Sequence, residues 1–232
     1  METSDRLGLA LVAYARTGKD TFCAELSHRR LRLGPLGDSA TPRWLVYAPK
    51  EKPTNDIRFA FESKECVVER FAFADALKIA THEWLGLIGC PANAFDRVKE
   101  TLTVPDPSSK ERKTIRQHYI DFGQMKRATD PLVWAAPVAE SIASYGKYTI
   151  DVTTDWRFDN ELEPRTHRTV TIRLFRSAVQ VAKALVDRRN DSEHNLDGWL
   201  TDYLLVPPGE FEQAIKKFPQ YADYVSELGI YK

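Results

Sequence analysis

The chain is poor in the features that would assign it quickly to a class. It has three cysteines, Cys23, Cys66 and Cys90, in 232 residues. Their odd number and the missing C-x-x-C spacing exclude a disulfide framework and a thiolate zinc site, and they read as reduced thiols in a reducing compartment. No apolar run approaches the length of about 20 residues that a membrane span needs. The start, METSDRLG, lacks the basic head and apolar core of a secretion signal. Charge of one sign is also lacking: 33 Lys and Arg stand against 33 Asp and Glu. That balance argues against a general nucleic-acid or anionic-membrane surface. The five histidines, His28, His82, His118, His167 and His194, show no H-E-x-x-H or other paired-ligand spacing, and no Ser-His-Asp or Cys-His motif is present. A cytoplasmic protein without membrane or nucleic-acid partners is expected.

What is present is a strand, a tight loop and a helix at Leu9–Leu26, LALVAYARTGKDTFCAEL. An apolar run leads into Ala15-Arg16-Thr17-Gly18-Lys19-Asp20-Thr21, and an amphipathic helix pattern follows. Such a loop turns backbone N–H groups toward an anion, and the helix start adds partial positive charge. Gly18 permits close backbone approach and Lys19 supplies a mobile cation for a terminal phosphate. The phosphate-loop pattern G-x-x-x-x-G-K-[ST] is met here as A-x-x-x-x-G-K-D, with Ala13 for the first glycine and Asp20 for the hydroxyl residue. A carboxylate is a hard oxygen ligand for Mg²⁺, and Thr21 adds a hydroxyl beside it. The plain alternative is a glycine-containing turn with a solvated lysine.

The rest of the chain reads as one domain, residues 1–232. Parallel strands are expected at Leu7–Ala13, Val67–Phe73, Tyr148–Thr154, Thr169–Phe175 and Tyr203–Val206, with helices at Asp20–Arg30, Ala74–Gly86, Asp130–Tyr145 and Pro208–Phe218. Alternating strands and helices imply right-handed βαβ units. Two segments break the rhythm. Residues 31–66 hold two alternating runs around Pro53-Thr54-Asn55-Asp56, which predicts a β-hairpin insertion. Residues 90–127 open with a charged, Pro-punctuated stretch, read as a substrate-covering insertion or an ordinary surface loop.

Several stretches recur in a family-like order. These are Phe73-Ala74-Asp75-Ala76-Leu77-Lys78, Phe95-Asp96-Arg97-Val98-Lys99-Glu100, Arg116, Gly123, Arg127, and Asp130-Pro131-Leu132-Val133-Trp134. Thr154-Asp155-Trp156-Arg157-Phe158-Asp159-Asn160-Glu161 follows, then Ser192-Glu193, Leu196-Asp197 and Asp202-Tyr203-Leu204-Leu205-Val206. With Gly18-Lys19-Asp20-Thr21, this set resembles the deoxynucleoside monophosphate kinases of tailed bacteriophages, in which Gly-Lys-Asp-Thr is usual. The chain departs from the family pattern at Ile120 and at Pro207-Pro208-Gly209, the latter near the ATP base in related kinases.

The resemblance implies an α/β P-loop kinase fold, a five-stranded parallel sheet flanked by helices, with lid and acceptor-binding insertions. It implies transfer of the γ-phosphoryl group of ATP to a dNMP, giving dNDP, with Mg²⁺. Ala15, Arg16, Thr17, Gly18, Lys19, Asp20 and Thr21 would hold the ATP phosphates, and Asp20 and Thr21 the metal. Lys19, Arg127, Asp155 and Arg157 would be catalytic. Asp75, Lys78, Arg97, Arg116, Trp134, Asn160 and Glu161 would bind the acceptor. Several of these stay open on their own residues. Trp134 suits a base-stacking wall or a core, Asn160 and Glu161 suit a sugar site or a helix cap, and Arg127 suits a lid or a helix surface. The expected partners are small nucleotides, and the resemblance admits a homodimer. A related kinase acting on dephospho-CoA or phosphomevalonate, and an ATP-binding module without transfer activity, are the competing readings.

Overall fold

The computed structural model describes residues 6–14, 17–37, 40–146, 148–177 and 195–232. In chain order the strands are β1 (Leu7–Val12), β2 (Arg32–Pro35), β3 (Trp44–Pro49), β4 (Val67–Phe71), β5 (Thr103–Pro105), β6 (Arg112–Thr114), β7 (Thr149–Thr153), β8 (Thr169–Leu174), β9 (Tyr203–Val206) and β10 (Tyr224–Tyr231). The helices are α1 (Lys19–Ser27), α2 (Asn55–Glu62), α3 (Phe73–Trp84), α4 (Ile115–Thr129), α5 (Ala135–Ser144) and α6 (Phe211–Lys217). Among the described residues no helix is long and apolar enough to cross a membrane.

The main sheet has eight strands in the order β2-β10-β3-β9-β8-β1-β7-β4. It is mixed, which corrects the expected five-stranded parallel sheet flanked by helices. Parallel pairing joins β7 to β1, β1 to β8 and β8 to β9. Beyond β9 the sense reverses: β3 is antiparallel to β9, and β10 is antiparallel to both β3 and β2. The physical reason lies in runs that the helix–strand alternation left unplaced. In β3 the alternation of WLVYAP buries Trp44, Val46 and Ala48, a period-two pattern that fits a sheet with one packed face. The run YVSELGIY of β10 supplies a second such strand.

The predicted hairpin at 31–66 is also corrected. β2 and β3 each pair with β10 and not with each other. The second alternating run, IRFAFE, is helical, because Ile57, Ala60 and Phe61 fall on one face at the i, i+3, i+4 spacing and enter the core. Residues 90–127 hold a series of turns, the antiparallel β5–β6 pair and then α4, whose first turn is capped by the Thr114 hydroxyl accepting from Gln117 N at 3.1 Å.

Two compact units divide the chain. The first comprises Met1–Arg70, Tyr145–Asp159 and Arg165–Lys232 and carries the sheet with α1, α2 and α6. Its core lies between the sheet and α1: Leu9, Leu11, Ile150, Val152, Ile172 and Leu174 pack with Phe22, Cys23 and Leu26. Each such fully buried side chain is worth about 1.5–3 kcal/mol relative to exposure. The alternate strand positions carry charge. Asp151 of β7 binds Arg165 Nη1 at 2.6 Å and His167 Nε2 at 2.7 Å, and Arg165 also donates to the Thr153 hydroxyl. Gly8 of β1 lies in register with Asp151, and a Cβ there would stand 2.7 Å from Arg165 Nη1.

The second unit, Phe71–Ser144 with Asn160–Pro164, is helical. In it α3 packs on α4 and α5. Gly123 of α4 sets the α3–α4 approach, since a Cβ there would meet both Leu77 methyl groups at 3.3 Å. Aromatic rings fill the interior: Trp84 lies 5.2 Å from Phe122, and Phe122 lies 6.2 Å from Trp134.

Candidate functional site

The carboxyl ends of β1, β7 and β8 converge in the first unit, where parallel sheets present ligands to their loops. A small, solvent-open cleft lies there, lined by Val12, Ala13, Tyr14, Trp156, Arg157, Arg173 and Leu196. Its charged lining residues are both arginines. Trp156 is fixed by its indole N–H, which donates to the Phe158 carbonyl at 2.7 Å, and Trp199 stands edge-on to it at 5.8 Å. Tyr14 directs its hydroxyl to both carboxylate oxygens of Asp197, at 2.7 and 2.8 Å. The ammonium of Lys217 sits 4.0 Å above the Tyr14 ring. Burial lowers the Lys217 pKa, against the opposing pull of Asp197.

Beyond Tyr14 the described residues resume at Thr17, just before α1. Thr17 is buried and closes the turn: its hydroxyl donates to the Tyr14 carbonyl at 2.8 Å and its N–H to the same oxygen at 3.3 Å. Gly18 takes φ 98°, a left-handed conformation that glycine adopts freely, and its carbonyl receives the Phe22 N–H at 2.8 Å. Lys19 begins α1 and is half-buried, while Asp20 and Thr21 are exposed. Asp20 pairs with Arg70 of β4 at 3.3 Å. The Arg176 guanidinium lies 3.6 Å from where a Gly18 Cβ would stand, and it stacks over Trp44 at 5.0 Å. Ala15 and Arg16 lie outside the described residues.

The sequence candidates divide between the two units. Thr17, Gly18, Lys19, Asp20, Thr21, Asp155 and Arg157 belong to the sheet unit, and of these Arg157 lines the cleft. Asp155 is half-buried beside it in sequence, and the preceding Thr154 hydroxyl is buried with no hydrogen-bond partner among the described residues. All seven acceptor candidates, and Arg127, belong to the helical unit.

Within that unit the acceptor candidates do not form one cluster of side chains. Lys78 binds Asp96 at 3.0 Å, and Lys99 reaches the same oxygen at 3.3 Å. Burial raises the Asp96 pKa, but the two lysines outweigh it and hold the carboxyl below its ordinary value. Asp75 lies in the first turn of α3. Arg116 pairs with Glu100 at 3.3 Å. Arg97 is exposed, without an ion pair among the described residues.

Arg127 binds the buried Glu161 at 2.7 Å, and Asn160 donates to the Pro131 carbonyl at 3.2 Å. Asn160 and Glu161 therefore anchor the short 3-10 turn Asp159–Leu162, which caps no longer helix. Trp134 is a core residue, 4% exposed, yet its indole N–H has no acceptor among the described residues.

Sequence reasoning missed Arg173, Tyr14 and Arg176. A signal for Arg173 existed: it is the one charged residue inside the strand TVTIRL. Donor chemistry for a divalent cation is present at Asp20 and Thr21, both hard oxygens. Mg²⁺ takes one or two protein oxygens and completes its shell with phosphate and water, so the residue types suit it, although the Asp20 carboxylate pairs here with Arg70. No protein-family model matches the chain, and no curated protein is significantly similar to it.

Proposed function

We propose that this protein is a deoxynucleoside monophosphate kinase that transfers the γ-phosphoryl group of ATP to a dNMP. The observation that carries the reading is the junction at Gly18–Lys19, where a buried strand passes through a left-handed glycine into a helix beside an arginine-lined cleft. The ordered motifs from Gly18 to Val206, and the resemblance they create, supply the acceptor class.

In this reading an oxygen of the acceptor monophosphate attacks the γ-phosphorus of ATP. The bond from that phosphorus to the β–γ bridging oxygen breaks, and ADP leaves with the electron pair. Phosphoryl transfer demands positioning and charge compensation more than covalent chemistry. Lys19 neutralises the donor's terminal phosphate oxygens, and the N–H groups at the start of α1 orient them. Arg157 meets charge that spreads over the transferring group. Asp20 and Thr21 would hold Mg²⁺, which would supply positive charge to the donor phosphates. Lys78, Arg97 and Arg116 are the cations that the resemblance assigns to the acceptor phosphate.

A coupled assay of ADP release tests this, with ATP, Mg²⁺ and each of dAMP, dCMP, dGMP, dTMP and dUMP, alongside AMP, GMP, dephospho-CoA and phosphomevalonate. Turnover with members of the deoxynucleotide set is expected. Turnover with dephospho-CoA or phosphomevalonate alone, or with no acceptor at all, overturns the reading.

A further inference from the structure

Arg173 carries donors that the described residues leave unfilled. It is 3% exposed, and its Nε donates to the Tyr221 hydroxyl at 3.0 Å. Its Nη2 donates to the Leu196 carbonyl and, at 3.4 Å, to that of Trp199. Its plane lies 4.4 Å over Phe218. These contacts fix the guanidinium rigidly. Nη1 has no acceptor within hydrogen-bonding distance among the described residues; the Asp197 carboxylate is its nearest counter-charge, at 3.9 Å. Arg173 and Arg157 line the same cleft. A buried guanidinium with open donors is costly unless an acceptor reaches it, and a planar fork suits an oxyanion.

We infer that the cleft takes a phosphoryl oxyanion through Nη1 of Arg173, with Arg157 as the second cation, and that Asp197 sets the affinity by competing for the same guanidinium. Asp197 is well placed for this. Tyr14 holds it by both oxygens, so it stays near Arg173 without closing a hydrogen bond to it. That the oxyanion belongs to a nucleotide rests on the kinase reading; that the cleft binds a phosphoryl group does not.

Isothermal titration of the full chain with pyrophosphate, ADP and dTMP tests the inference in the wild type, Asp197→Asn and Arg173→Lys. Asp197→Asn is expected to tighten pyrophosphate about three- to tenfold, and Arg173→Lys to weaken it about tenfold. A purely structural role for the pair would weaken binding in both. The Asp197 side chain is about one-third exposed, so its variant keeps the test usable if Arg173→Lys does not fold. Tightening of ADP but not dTMP assigns the site to the donor, and the reverse assigns it to the acceptor. Unchanged or weaker pyrophosphate binding in Asp197→Asn overturns the inference. A wild type that binds pyrophosphate, tightens in Asp197→Asn and turns over no dNMP leaves this inference standing and removes the kinase reading.

Discussion

Lys19 shows how one position separates function from stability. It opens α1 with its side chain half-buried, and alanine is a better helix former, so Lys19→Ala removes a cation and keeps the helix propensity of the first turn. Turnover in the ADP-release assay is expected to fall about 100- to 1000-fold, with Tm unchanged within a few degrees. Near-normal turnover would show that the loop is not the donor site. Trp134 is the residue for which sequence and structure answer different questions. Its spacing with Leu132, Ala135 and Val138 permitted a core assignment, and the ring is in the core. No spacing rule announces that its N–H lacks a partner among the described residues, because the partner is a matter of three-dimensional placement. Arg173 escaped notice for a related reason: a strand position says which face a side chain takes, and the packing on that face decides what it meets.

At the scale of elements, the polar layer on β1 and β7 is held by tight geometry. A Cβ at Gly8 would meet Arg165 Nη1 at 2.7 Å, the Thr169 hydroxyl at 2.8 Å and His167 Nε2 at 3.0 Å. Arg165 is the end of a flexible chain, but burial and its bond to Asp151 remove the freedom to swing away. Gly8→Ala is therefore expected to destabilise by about 1–3 kcal/mol, read as a lowered midpoint in urea. Helix α1 carries a pH-dependent contribution through Glu25. Burial pushes its pKa up, but the bond and charge of Arg43, together with Lys232, outweigh burial and hold the carboxyl below its ordinary value. A depressed folded-state value stabilises the fold above the unfolded pKa of about 4.3, and that contribution drains away as pH falls through the folded value. Glu25→Gln should lower stability by about 1–3 kcal/mol at pH 7. The gap to wild type should close as thermal melts are moved from about pH 5 toward pH 3. A gap that stays constant would assign the loss to packing.

The whole molecule was legible where local pattern and burial coincide. The apolar run LGLALV and the strand TIDVT carry their assignment in composition, and the Gly18–Lys19 turn follows from them. Strands β3 and β10 were not legible as a sheet extension. Their alternation fits several partners, and the choice between a local hairpin and a partner about 180 residues away is made by the assembled face alone. If the loop and cleft bind nucleotide, the folded state gains free energy in proportion to the logarithm of ligand concentration. ADP at about 100 times its Kd should add about 2.7 kcal/mol and raise Tm measurably, whereas adenosine should not. Equal shifts from both would locate recognition in the base and not in the phosphates.

Strand β10 lies between β2 and β3, and β2 stands at the sheet's edge with β10 as its neighbour. A ribosome releases residues 32–35 long before it makes residues 224–231. Throughout that interval the nascent β2 has no strand to join, and the backbone of β3 on that side is open to other chains. The sheet thus closes late, through contacts of very long sequence separation. Its final assembly should be the step most sensitive to synthesis rate and to chaperones that shield unpaired strands.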